Sequence, residues 1–405
     1  MATTSSSQLA LFGGAPVRDA RKPWPAWPIF DDREKQALVE VLESGKWWYG
    51  ERVARFEREY AAFQDAKDCV TVTSGTTAGE VLLQAVGLKP GDEVLVPPYT
   101  FYATASMVLR RGGVPMFVDV DDSWCMNPDL LEAAITPRTR AIMPVHLGGR
   151  VCDMDRINAV AARHGLLVLE DACHSWGGKW KGKGTGALGK AGIFSFQASK
   201  NINAAEGGAI VTDDEDLAEL CRSITNCGRL KGGAWYSHPN LGTNARLTEF
   251  QAALLSVQLT RLEEHNRTRD TNAAILNEHL AKIEGLTPQP GDKRITRRAY
   301  HLYCLRIAPE TFGCSREKLI EAAKAEGLPG ISEGYAIPLY EQPSLANAPN
   351  APDYSKQECP VARDICSRSG IWIAHTALLG SEADMHDIVA IFEKIKKNAE
   401  ELDRA

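Results

Sequence analysis

The sequence predicts an α/β protein with a mainly parallel central sheet, followed by a smaller C-terminal α+β unit. Three observations predict it. Between residues 68 and 212, short β-branched runs alternate with amphipathic segments: CVTVTS, DEVLVPP, VPMFVDV, RAIMPVHL, GLLVLEDA, GIFSFQ and GAIVTD. Runs that are apolar at consecutive positions suit strands buried on both faces, and their alternation with helices is the rhythm of crossover units. The texture then changes, because RLTEFQAALLSVQLTRLEEHNRTRDTNAAILNEHL keeps apolar residues at helical spacing over a long span. That is a connecting helix. Beyond it, YHLYCLRI alternates like a strand, SREKLIEAAKAEG reads as a helix and SEADMHDIVAIFEKIKKNAEEL as a C-terminal helix. The split falls near residue 260, giving an N-terminal segment over 1–30, a large domain over 31–260 and a small domain over 261–405.

At 405 residues, 44% hydrophobic and 24% charged, the chain has an ordinary globular composition with room for two domains. A net charge of -6 gives no electrostatic footprint for nucleic acid or an anionic membrane. The first residues, MATTSSSQ, lack the basic and apolar regions of a signal peptide, and no apolar run approaches the roughly 18 residues of a membrane helix. A cytoplasmic protein with small-molecule partners is expected. The ten cysteines include no CxxC pair and no Cys/His cluster, which argues against a metal site and fits a reducing compartment.

Chemistry concentrates around IFSFQASKNINAAEGGAIVT, where Lys200 stands between two runs that look like core. Burial disfavours an ammonium and leaves a free amine able to attack a carbonyl, whereas a lysine reaching solvent does nothing special. In open α/β sheets ligands sit at the carboxyl ends of strands, so the residues that follow each run form a natural set. After CVTVT comes SGTTAGEVLLQAV, a small-residue turn opening a helix. Its free N–H groups suit a phosphate, although the same turn also reads as a plain N-cap. After DEVLVPP come Tyr99, Phe101 and Tyr102, which either lay a ring on a flat ligand or fill core. After GLLVLE comes Asp171, which either pairs with a cation or caps the next helix. A lysine amine, a carboxylate for a ring nitrogen, an aromatic face and an N–H-rich turn are together the needs of pyridoxal 5'-phosphate.

In SFQASKNINAAEGGAIVTDD, EDACHSWGG, the TSGTTA turn, PYTFYATA, PVHLGG and GTNARLTEFQAAL, the chain resembles the DegT/StrS family of sugar aminotransferases over nearly its whole length. That resemblance implies the aspartate aminotransferase-like fold, fold type I. It makes Lys200 the Schiff-base lysine, Asp171 the partner of the pyridine nitrogen, Phe101 the stacking ring and His174 a neighbour of the cofactor's phenolic oxygen. It assigns the phosphate to Gly75, Thr76 and Ser195, with Asn244 of GTNAR supplied by the other subunit of a homodimer whose active sites are shared. The wording departs from the family's commoner pattern at TSGTTAGE, where Asn often precedes the Gly, at Cys173, which replaces a small apolar residue, and in PVHLGG, where an aromatic often follows the Leu.

Two further stretches, PWPAWPIFDDREKQALVEVLESGKWW and GIWIAHTALLG, resemble the subgroup that aminates cyclitol ketones such as scyllo-inosose or its 2-deoxy form, together with the 3-amino-5-hydroxybenzoate synthases. Glutamine is the amino donor that this implies, with a keto-cyclitol as acceptor. A nucleotide-linked keto-sugar aminotransferase is the alternative, and SEGYAIPLYEQP is compatible with either. Two rivals from other classes are a 3-dehydratase of the same fold, against which Lys200 argues because its relatives carry histidine there, and a non-catalytic sensor or regulatory protein.

Overall fold

Each of the seven apolar runs forms one strand of a single sheet in the computed structural model, which describes residues 7–348 and 351–404. These strands are β1 (Asp68–Val72), β2 (Glu93–Val96), β3 (Val114–Phe117), β4 (Thr139–Ile142), β5 (Leu167–Asp171) and, after a short hairpin of β6 (Lys179–Trp180) and β7 (Lys183–Gly184), β8 (Ala191–Ser195) and β9 (Gly208–Thr212). Their order is β1-β9-β8-β5-β4-β2-β3. Five of them, β3, β2, β4, β5 and β8, pair in parallel, and β9 runs antiparallel to both β8 and β1. The reason is the connection. From β8 to β9 the chain turns back through residues 196–207 with no helix, so the two strands form a long-looped hairpin, not a crossover unit.

Helices flank this sheet. They are α1 (Asp32–Ser44), α2 (Glu51–Phe63), α3 (Gly75–Ala85), α4 (Ala103–Arg110), α5 (Leu131–Ala134), α6 (Met154–His164), α7 (Glu215–Thr225) and the long α8 (Glu249–Leu280). α8 begins at a capping box in which Thr248 and Gln251 satisfy each other's backbone N–H groups. Residue 260 falls within it. Ala252, Leu255 and Leu262 of α8 enter the core beside β8 and β9, and Ala273, Leu276 and Leu280 enter the core of the C-terminal unit.

That C-terminal unit is an antiparallel sheet, β10-β12-β14-β13, built from β10 (Leu286–Pro288), β12 (Leu302–Ile307), β13 (Ile331–Ser332) and β14 (Gly370–Ala374). Helices Arg316–Ala325 and Glu382–Lys397 contribute Leu319, Ile320, Ile388 and Phe392 to its core. β11 (Ile295–Arg297) pairs instead with β6, a small sheet for which the sequence gives no periodic signal. The start of the chain also packs here. Leu9 is fully buried in the C-terminal core, Ala10 N and Val17 N donate to Glu326 at 2.8 and 2.9 Å, and Arg18 pairs with Asp384 and Asp387 at 2.6 and 2.8 Å. Among the described residues, no helix is long and apolar enough to cross a membrane and no His/Cys/Asp/Glu cluster could hold a metal.

Candidate active site

Successive side chains of a strand point to opposite faces, and at the end of β5 this separates two carboxylates. Glu170, with no exposure, accepts from His146 Nε2 at 2.9 Å and from the backbone N–H groups of Gly186, Leu188 and Gly189 at 2.7 Å each. It is saturated and structural. Asp171 faces a cavity of about 680 Å³, where Oδ2 accepts from Thr104 Oγ1 at 2.8 Å and Oδ1 from Cys173 N at 3.2 Å. No helix follows it, so it is not an N-cap.

Lys200 occupies the hairpin loop between β8 and β9. The loop is held internally by Ala198 N to Ala205 O at 2.9 Å, Lys200 N to Gln197 O at 2.9 Å and Ala204 N to Phe196 O at 3.0 Å. Its Nζ lies 5.8 Å from the centre of the Trp176 ring and has no hydrogen-bond or ion-pair partner among the described residues. Burial pushes the Lys200 amine below the usual lysine range, against the opposing pull of Cys173 and Asp171. Its neighbours follow the same logic. Burial, aided by the Lys200 charge, holds His174 well below the usual imidazole range, and burial raises the Cys173 thiol, aided by Asp171. His174 Nδ1 accepts from Gly148 N at 3.4 Å, and its ring lies 4.4 Å from that of His301.

The TSGTTA turn acts both as a cap and as a cavity wall. Ser74 Oγ caps α3 by accepting from Thr77 N at 3.1 Å, while Gly75 N and Thr76 N at the cavity have no partner among the described residues. Only glycine allows this approach of helix to strand. A Cβ on Gly75 would lie 2.8 Å from Ser195 Cβ and 3.1 Å from Cys173 Sγ. Two free N–H groups at a helix N-terminus favour an anion. Of the three aromatics after β2, Tyr99 is fully buried against Trp124 and Tyr335, Tyr102 lies outside this cavity's lining, and Phe101, 58% exposed, lines it.

Gly75, Thr76, Phe101, Asp171, His174, Ser195 and Lys200 thus line one cavity. Asn244 does not line it in its own chain; it is exposed and bridges to Asn226 through the backbone. Thr104, Trp27, Tyr335, Trp372, His301 and His375 also line it; the sequence assigns a role to none of these six, although the stretches quoted above contain Trp27, Tyr335, Trp372 and His375. The signal for Thr104 is its place in the first turn of α4, directly after Phe101 and Tyr102. An unpartnered amine, a carboxylate, an exposed ring and a free helix N-terminus around one space fit pyridoxal 5'-phosphate.

Comparison with known proteins gives the same answer. The model of the DegT/DnrJ/EryC1/StrS aminotransferase family matches residues 28–393. The chain is 38% identical over 376 residues to a 3-amino-5-hydroxybenzoate synthase of Amycolatopsis mediterranei, covering 91% of this chain and 96% of that one. It is also 38% identical over 420 residues to an L-glutamine:2-deoxy-scyllo-inosose aminotransferase of Streptomyces kanamyceticus, covering 96% and 97%. Among solved structures, a crystal structure of 3-amino-5-hydroxybenzoic acid synthase superposes with a TM-score of 0.86 at 36% identity, over 93% of this chain and 99% of that one. DesV of S. venezuelae, in complex with a ketimine intermediate, superposes at 0.82 and 32%, over 94% and 99%.

Proposed function

The chain belongs to the DegT/DnrJ/EryC1/StrS family and is a pyridoxal 5'-phosphate-dependent aminotransferase, and on that premise we propose that it moves an amino group from glutamine to a keto-cyclitol. The observation that carries the acceptor is the charge of the cavity wall. Lys200 is the one lysine or arginine among its described lining residues, and Trp27, Tyr335 and Trp372 supply flat apolar faces. A diphosphate-linked sugar calls for basic side chains around its phosphates; an uncharged polyol ring does not. Relatives named L-glutamine:2-deoxy-scyllo-inosose aminotransferase support the same reading.

In this proposal the residue roles are assigned by position. Asp171, oriented by Thr104 and Cys173 N, holds a proton on the ring nitrogen. When bound, the cofactor supplies an electron sink. Gly75 N, Thr76 N and Ser195 hold its phosphate, and Phe101 covers one face of its ring. Lys200 would hold its aldehyde carbon and, with the donor bound, would move a proton to or from the substrate carbon. A ping-pong sequence follows, in which the keto acid leaves before the ketone binds. The test is to load the protein with each candidate donor, record conversion to the amino form by absorbance, and then challenge it with keto-cyclitols and nucleotide-linked keto-sugars. Turnover of nucleotide-linked sugars alone would replace the cyclitol reading.

The site is shared between two subunits in this proposal, with Asn244 serving its partner's phosphate. Trp48, Trp235, Tyr236 and Leu241 are 62, 78, 80 and 82% exposed, an apolar surface characteristic of an interface. Mixing an inactive Lys200→Ala protein with a severely impaired Asn244→Ala protein should restore activity. Each heterodimer then collects both lesions in one site and leaves the other intact. No recovery after subunit exchange, verified with differently tagged chains, overturns the shared site.

A further inference from the structure

Two carbonyls of the Lys200 loop point outward. The bonds inside the loop leave Ala198 O and Ser199 O unused, although they immediately precede the lysine. Each has one partner among the described residues. Trp27 Nε1 donates to Ala198 O at 3.0 Å, and His375 Nε2 lies 3.1 Å from Ser199 O. The two rings meet edge to face with centroids 4.7 Å apart. One comes from the N-terminal segment and the other from just beyond β14, so the loop is gripped by parts of the chain remote from it in sequence.

The chemistry of His375 is set from behind. It is 4% exposed, and its Nδ1 lies 3.1 Å from Nη2 of Arg269, which is fully buried. A guanidinium only donates, so Nδ1 accepts; the proton is then on Nε2, where it meets the Ser199 carbonyl. Arg269 has no carboxylate within ion-pair distance among the described residues, and its other polar contact is Asn266 Oδ1 at 3.4 Å. A second proton on His375 would face that buried cation directly. Burial together with the Arg269 charge therefore holds the imidazole far below its usual range and fixes the neutral tautomer.

We propose that Trp27 and His375 are positioning residues that clamp the Lys200 loop through the carbonyls of Ala198 and Ser199, with Arg269 locking His375 in the Nε2–H tautomer. The clamp fixes the backbone from which the lysine swings, so that its amine reaches both the cofactor's aldehyde carbon and the substrate carbon. It rests on Lys200 being the reactive lysine. Both rings also line the cavity, so a loss of activity alone does not separate the clamp from contact with substrate.

The separating measurement is amide hydrogen exchange of residues 197–206 in the substrate-free holoenzyme. Trp27→Phe, which keeps a ring and removes the donor, and His375→Leu should each speed exchange in this segment about fivefold or more, the equivalent of one lost hydrogen bond. The same variants should lower kcat with the donor KM unchanged. His375→Gln, which restores an N–H near the Nε2 position, should recover part of both. Unchanged exchange in 197–206 overturns the proposal, whatever happens to kcat. Faster exchange spread over the whole chain overturns it as well, because that marks a general loss of stability. If His375→Leu does not fold, Trp27→Phe carries the test by itself. Borohydride reduction keeps the two readings apart. Labelling of a lysine other than Lys200 sinks the functional assignment, whereas labelling of Lys200 with an undisturbed loop sinks the clamp alone.

Discussion

Lys200→Ala should abolish transamination while leaving a folded protein that still binds the cofactor without a covalent bond. The contacts that would hold the phosphate and the ring, at the N-terminus of α3 and at Asp171, are made by residues that do not depend on Lys200. Sodium borohydride should fix the cofactor to wild type and not to the variant. A covalent label on the variant would place the reactive amine elsewhere. The amine also leaves a signature in stability. Burial lowers its pKa in the folded state from the unfolded value of 10.5, so between the two values the unfolded chain binds more protons. Stability therefore rises with pH across that window: Lys200 contributes fully above 10.5, and its contribution is lost as pH falls through the folded pKa. The cofactor-free Lys200→Met protein should accordingly melt above the cofactor-free wild type at neutral pH, with the gap closing as pH approaches 10.5. A gap independent of pH would mean that the amine is not desolvated.

Asp171→Asn should keep the cofactor and lose most of the rate. A neutral amide cannot hold the proton on the pyridine nitrogen, so the ring no longer draws electrons from the substrate carbon. If the nitrogen's pKa falls by about three units, about 4 kcal/mol of stabilisation goes with it, which is about a thousandfold in kcat. Single-turnover absorbance changes on adding the donor isolate that step from product release. Turnover near wild type would show that the electron sink is not set by Asp171. The fold should survive, since Glu170, which ties β5 to the 186–189 turn, is untouched.

The parts of this architecture that were legible in the sequence are those that repeat a pattern. A strand buried on both faces must be apolar throughout, and each of the seven such runs became a strand of the central sheet. A strand's composition carries no direction, so the antiparallel course of β9 was not legible; only the missing helix between β8 and β9 encodes it. The cavity divides in the same way. Lys200, Asp171 and the TSGTTA turn each sit at the end of a strand, where the fold puts ligands. Trp27, Tyr335, Trp372 and His375 do not directly follow a strand of the central sheet, and a lone aromatic has no periodicity to betray it. His375 stands within GIWIAHTALLG, a stretch whose resemblance to the cyclitol subgroup assigns it no role. Its partners Arg269 and Ser199 are 106 and 176 residues away, and only three-dimensional proximity gives it meaning.

The docking of Arg18 on the helix Glu382–Lys397 sets an order of events during synthesis. Arg18 closes on Asp384 and Asp387, so this anchor cannot form until synthesis has passed residue 387. Trp27 lies nine residues beyond that anchor, and the large sheet, whose strands end at Thr212, can assemble long before it. A nascent chain arrested before residue 384 therefore possesses the lysine, the carboxylate and the phosphate turn without the lock that seats its N-terminal segment. Seating of the N-terminal segment beside Lys200 is therefore a late event, one that waits on the first turns of the helix Glu382–Lys397.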